Sequence, residues 1–144
     1  MTDLSTCKVQ RSLSSRLTAD ELWNILTNPV YTRKYMFSTA LTSDWVIGSP
    51  ITWAGIHQGR EAGGKGKIIN AEPGKQLKYS SFNINDGLLD IAENYLVITY
   101  DITPGEEQTS LSITIENFNG DPDRCGVIAR DWDAVVLPEL SKLI

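Results

Sequence analysis

The residue pattern predicts an α+β domain: an antiparallel sheet of seven short strands, two short helices after the first strand, and a long C-terminal helix. Three observations carry this. Apolar and polar residues alternate through a series of short segments bounded by turn residues, the period of a half-buried strand. One stretch, Gly126 to Ile144, instead repeats Ile128, Trp132, Val135, Val136, Leu140 and Leu143 at helical spacing. The strand-to-strand connections are of hairpin length, which suits antiparallel pairing and leaves the helices on one side.

Taken in order, Cys7 to Ser15 reads as the first strand, with Val9 and Leu13 on one face and Arg11 on that same apolar side. Arg11 there is either an end-of-sheet residue or a polar group reaching into a cavity. Thr18-Ala-Asp-Glu21 is a capping box, so a helix begins there with Ala19, Leu22, Ile25 and Leu26 as its buried stripe. Asn28-Pro29 ends it and starts a second short helix carrying Val30, Tyr31, Tyr35, Met36 and Phe37. Two short helices in succession can carry the chain from one sheet edge to the other. Further strands are expected at Ser43 to Gly48, Ile51 to Ile56, Lys65 to Glu72, Gln76 to Phe82, Tyr95 to Thr103 and Thr109 to Asn117, with Asn83 to Glu93 an exposed loop. Asp121-Pro122-Asp123 caps the last helix, and Pro138 inside it removes one backbone bond and should bend it or offset its final turn. A helix with one apolar face must bury that face on the sheet, and what lies between them is either core or cavity.

The chain of 144 residues, 41% apolar and 22% charged, is one domain's worth of sequence, 1–144. Its net charge of -5 and dispersed Lys and Arg exclude nucleic acid as a main partner, because phosphate neutralisation needs clustered cations. No run is apolar enough to insert in a membrane. The start, Met1 to Lys8, has neither the basic end nor the apolar core of a signal peptide, so a cytoplasmic location is expected. In that compartment Cys7 and Cys125 are expected as free thiols. With one histidine and two cysteines, no metal site and no cofactor are expected.

Gly59 to Lys65 matches half of a phosphate-binding loop, but Gly66 stands where Ser or Thr must hold magnesium, and a strand follows where the chemistry needs a helix N-terminus. We read it as a Gly-rich hairpin loop. His57 is a rim histidine in the plain reading and a general base in the sharper one; no nucleophile motif accompanies it. The carboxylates form no distinctive pair. The amphipathic rings say more: Tyr and Trp need partners for their polar atoms when buried, and a pocket lined by such rings with a few polar groups is the usual form of a small-molecule site.

Glu21-Leu-Trp23-Asn-Ile-Leu26-Thr-Asn-Pro29 followed by Arg33-Lys34-Tyr35-Met36 resembles the V-W-x-x-L-T-D-P…R-W-W opening of the SRPBCC (START-like, helix-grip) superfamily. Asp44-Trp45-Val-Ile-Gly48 through Trp53, Gly66 to Pro73 with Leu77-Lys-Tyr79, Thr109-Ser-Leu111-Ser-Ile-Thr114, and Trp132…Leu140 are similar to later motifs of the branch homologous to the C-terminal domain of the activator of heat-shock protein 90 ATPase. This chain departs at Tyr35-Met36, where the family has an aromatic pair, and at Ser49-Pro50, where it has a second Gly. The resemblance implies a helix-grip fold, a curved sheet around the C-terminal helix, and a cavity between them. The expected function is binding of a hydrophobic or aromatic small molecule, lined by Tyr35, Phe37, Trp53, His57, Tyr79, Tyr100, Trp132 and Val136. The alternatives are a cyclase- or dehydratase-like enzyme, for which His57, Tyr79 and Arg11 are the acid/base candidates, and a chaperone-interacting regulatory protein.

Overall fold

Alternation gives β1 (Val9–Ser15), β2 (Thr39–Ser43), β3 (Pro50–His57), β4 (Arg60–Glu72), β5 (Gln76–Asn83), β6 (Leu96–Pro104) and β7 (Thr109–Glu116). The structure, a computed structural model, describes residues 7–144. The strands form one antiparallel sheet in the order β1-β7-β6-β5-β4-β3-β2. Every connection is a hairpin except that from β1 to β2, the two edges. Helices α1 (Ala19–Thr27) and α2 (Pro29–Tyr35) make that crossing. The Thr18 hydroxyl accepts from the Glu21 amide, and the Glu21 carboxylate accepts from the Thr18 amide, completing the expected capping box. Asn28 caps α2 through Val30, with Pro29 in the first turn.

The sheet curves around the closing helix, which runs from α3 (Pro122–Asp131) through a π-helical turn (Trp132–Val136) into α4 (Leu137–Leu143). A register shift between Ile68 and Asn70 bends β4 against β5. Inward side chains of β3 to β7, with Leu22 and Leu26 of α1, Tyr35 of α2, and Val136 and Leu140 of the closing helix, form one contiguous core.

Four local expectations need correction. Ser43 to Gly48 is not a strand: the strand is Thr39–Ser43, and the chain then turns, with Trp45 at φ 57. The Ser43 hydroxyl accepts from the Trp45 amide and the Ser49 hydroxyl donates to the Val46 carbonyl, so short polar side chains take the backbone groups a ladder would need. The Gly59–Lys65 stretch is not a loop either. Gln58 and Gly59, at φ 52 and 79, form a two-residue turn, and the remaining glycines lie inside β4. Thirdly, the apolar repeat from Gly126 marks only part of the closing helix, which starts at Pro122 where the Asp121-Pro122-Asp123 cap places it, with Asp121 accepting from the amides of Asp123 and Arg124. Pro138 is accommodated by the π turn just before it, where the Leu137 amide bonds the Trp132 carbonyl five residues back.

The fourth concerns the cysteines. Cys7 and Cys125 are joined in a disulfide, their Cα atoms 6.6 Å apart. A sequence separation of 118 says nothing of distance once β1 pairs with β7, because the closing helix departs directly after β7.

Candidate ligand-binding site

The groove between sheet and closing helix divides in two. Beneath the π turn and α4 it is filled. Tyr35, Tyr100 and Val136, three of the expected lining residues, are fully buried there rather than on a cavity wall. The Tyr35 hydroxyl donates to the Leu26 carbonyl at 2.8 Å. Burial pushes the Tyr35 and Tyr100 hydroxyls well above their ordinary range, so both are neutral structural groups.

Beneath α3 the groove is open, with a cavity of about 450 Å³. Five expected residues, Phe37, Trp53, His57, Tyr79 and Trp132, lie on its wall. The open space has a sequence cause. Trp53 pairs with Gly64 and Gly55 with Ala62 across β3 and β4, so the sheet around the Trp53 ring presents only backbone and one methyl group. A Cβ on Gly64 would collide with the Trp53 indole and the Phe82 carbonyl, so only glycine lets that ring lie down on β4. A Cβ on Gly55 would strike the Ser38 carbonyl. That close approach seats the α2–β2 connection, where Phe37 and Ser38 adopt φ 49 and 62, a left-handed pair unusual for residues with side chains. Strained backbone of this kind persists where its surroundings over-determine it and clusters at binding sites. Here it sets Phe37 edge-on to His57, ring centroids 5.6 Å apart, and puts the Ser38 hydroxyl 3.2 Å from His57 Nδ1.

The floor is Tyr79, Ser81, Leu96 and Ile98, on alternate positions of β5 and β6. The Tyr79 hydroxyl is 3.5 Å from that of Tyr100, and burial pushes its pKa up to about 12. It is therefore protonated at neutral pH and suited to donating a hydrogen bond rather than to moving a proton. Arg11 stands outside the cavity, its guanidinium holding both carboxylate oxygens of Asp133 at 2.8 and 3.0 Å.

The polar part of the rim was not foreseen. Arg124 Nη2 donates to the Asn94 carbonyl at 2.9 Å and lies 3.7 Å from an Asp86 oxygen, while Nε and Nη1 are buried with no hydrogen-bond partner. Burial raises the Asp86 carboxyl above the usual range, opposed by Arg124, and Asp131 adds to the rise. Arg124, Asp86 and Asp131 all line the cavity. Strand alternation from Tyr79 reaches Ser81, and the helical spacing of Ile128 and Trp132 reaches back to Arg124, whereas the Asn83 to Glu93 loop has no period to place Asp86. Among the described residues no cluster of three or more His, Cys, Asp or Glu is placed to hold a metal ion. A second depression, on the outer sheet face around Lys65, Lys67, Asp90 and Tyr95, is more open and lacks the buried aromatic wall. No helix among the described residues is long and apolar enough to cross a membrane.

Comparison with known proteins fits this architecture. No curated protein matches the chain. Among solved structures, protein ChR145 from Cytophaga hutchinsonii is 30% identical, with 94% of this chain and 91% of that one aligned and a TM-score of 0.75. Protein CV1439 from Chromobacterium violaceum (16% identity, 96% of each chain, TM-score 0.74) and the Aha1 dimer from Colwellia psychrerythraea (17%, 94% of this chain and 98% of that, TM-score 0.69) share the fold. The family described as activator of Hsp90 ATPase homolog 1-like protein matches residues 16–143, nearly the whole chain. The protein is therefore a member of the activator of Hsp90 ATPase homolog 1-like family.

Proposed function

We propose that this protein binds an apolar or aromatic small molecule in the cavity beneath α3. The observation that carries this is the cavity's construction: Gly55 and Gly64 let the Ser38 backbone and the Trp53 ring lie against the sheet, and Trp53, Phe37, His57 and Trp132 surround the space beside Ala62 without filling it. At about 450 Å³ it falls within the range of roughly 300–1,000 Å³ typical of small-molecule pockets. Aromatic walls favour a flat, apolar ligand body, and the Tyr79 and Ser81 hydroxyls offer polar contacts at the floor. The unpartnered nitrogens of Arg124 support a polar end directed at the rim, reached by a small rotation of that side chain.

The cyclase or dehydratase reading has less behind it. His57 is paired with a serine rather than a carboxylate, Tyr79 is held neutral, and Arg11 faces away from the cavity. Chaperone regulation draws on family membership alone. A cytoplasmic location is expected only from the residues at the start of the chain, and the Cys7–Cys125 bond counts against it, since disulfides persist mainly in oxidising compartments.

Two probes test the reading by calorimetry, 2-naphthol for aromatic ligands and dodecanoate for lipid-like ones, alongside native mass spectrometry of the purified protein. The expected result is one molecule bound per chain, or a co-purified ligand, and loss of probe binding in Ala62→Leu. Absence of any bound mass together with no heat from either probe would overturn it.

A further inference from the structure

We propose that the Cys7–Cys125 disulfide is a thiol-sensitive latch on the N-terminal half of the closing helix, and that its reduction frees α3 to swing off the cavity. The two halves of that helix are held differently. The π turn and α4 bury Trp132, Val136 and Leu140, and α4 packs against α2. Along α3, Cys125 alone is fully buried. Its attachment is covalent: the bond runs to Cys7, two residues before β1, a strand paired along its whole length with β7. The other polar ties of α3 to the loop side are the Arg124 donation to Asn94 and the long Arg124–Asp86 pair.

Between the halves lies a hinge. In the π turn the backbone bonds run five residues back, and Pro138 supplies no amide, so the helical ladder is already interrupted there. The segment on the weakly held side is also the one that covers the cavity, through Arg124, Val127, Ile128 and Asp131. Swinging α3 about Trp132–Val136 therefore uncovers the ligand space and leaves the core in place.

The step is a thiol–disulfide exchange with a dithiol reductant. Cys7 is only half-buried whereas Cys125 is buried, so the reductant's thiolate attacks Cys7 sulfur. The sulfur–sulfur bond breaks, Cys125 leaves as a thiolate and takes a proton, and the second thiol of the reductant displaces Cys7. Two electrons and two protons pass to the protein and the reductant becomes a disulfide. In a reducing cytoplasm α3 is then free to swing and ligand enters and leaves faster, and an oxidising shift pins α3 and slows that exchange. That consequence for ligand traffic rests on the binding function proposed above; the motion does not.

Amide hydrogen exchange on the full chain tests the latch without any ligand. Oxidised protein is compared with protein reduced by dithiothreitol, and thiol alkylation counts the bond. The expected result is exchange roughly tenfold or more faster across 121–131 after reduction, with β5, β6 and α4 unchanged. Cys7→Ser with Cys125→Ser should copy the reduced protein and ignore dithiothreitol. In the oxidised protein 2-naphthol should associate more slowly than in the reduced one. Unchanged exchange in 121–131, a rise shared equally by sheet and α4, or two free thiols in air-oxidised protein would each overturn the latch. Should the double variant fail to fold, the comparison of oxidised and reduced wild type decides alone, and unfolding of the reduced wild type counts against it. If exchange responds but no probe binds, the latch stands and the binding function falls.

Discussion

The groove under the closing helix is filled at one end and open at the other, although a single sheet and a single helix form both. At the filled end Tyr35, Tyr100, Val136 and Leu140 meet Ile51 and Ile68 in a core without exposure. At the open end the matching positions of β3 and β4 are Gly55, Ala62 and Gly64, and the rings of Phe37, Trp53 and His57 remain half-exposed. The difference is side-chain volume at a few inward positions, not topology. The boundary falls at the π turn, where Trp132 belongs to both sides: buried at 4% exposure, yet on the cavity wall. One end supplies stability, and the other keeps space.

The sharpest break of this comparison is Leu140→Ala at the filled end. It deletes a fully buried side chain in a core with no room to collapse, and should cost about 2–5 kcal/mol by denaturant titration while leaving probe binding intact in the folded fraction. A cost below about 1 kcal/mol would mean that end is not close-packed. Next is Gly64→Ala at the open end, whose Cβ must displace Trp53 or the β5 backbone. A loss of roughly 1–3 kcal/mol is expected, with a shift in tryptophan fluorescence as the indole moves. Unaltered stability and emission would remove the packing argument for Trp53.

Ala62→Leu should do the reverse. It adds bulk where the structure has space, so stability should stay within about 1 kcal/mol of wild type while probe binding disappears. A large destabilisation there would contradict the free space beside Ala62. The smallest effects are electrostatic. Arg11→Ala removes an exposed pair with Asp133 and should change stability by less than about 1 kcal/mol, the difference shrinking in salt.

Carbon NMR of the carboxyl groups should separate Asp133 from Asp86. Asp133 titrates below the ordinary value of 3.8, held by its hydrogen bond to Arg11, so its contribution is present above that pH and lost as pH falls through the folded-state value. Asp86 titrates above 3.8 because burial disfavours its charge, so its contribution is present below 3.8 and lost as pH rises through the folded-state value. The opposite order would contradict the covered position of Asp86 beside Arg124.

Features set by local chemistry were legible in the sequence. Thr18 and Glu21, Asn28-Pro29 and Asp121-Pro122 mark helix starts because capping needs only neighbouring residues. The alternation in β6 and β7 is regular enough to place every inward side chain. Features that depend on what lies opposite were not. Ser43 to Gly48 reads as a strand until Ser43 and Ser49 are seen bonding the backbone. Gly63 and Gly64 read as a loop until the Trp53 ring and the Trp53 and Phe82 carbonyls are found where their side chains would be. The site divides the same way. Trp53, Tyr79 and Trp132 follow from strand and helix periods, whereas nothing in the sequence reports that Tyr35, Tyr100 and Val136 fall on the filled side. Nor does it report that Arg124 reaches the Asn94 carbonyl or that Cys125 reaches Cys7; those contacts exist only once the closing helix is laid across the sheet.

The proposed function requires that the open end, and not the whole groove, takes a ligand. An amide and side-chain NMR titration of the wild-type protein with 2-naphthol tests it most directly. Saturable shifts confined to Phe37, Trp53, His57, Tyr79, Ser81 and Trp132 are expected, with Tyr35, Tyr100, Val136 and Leu140 unmoved. Shifts that spread equally into the filled end, or a spectrum that does not respond at all, would contradict it.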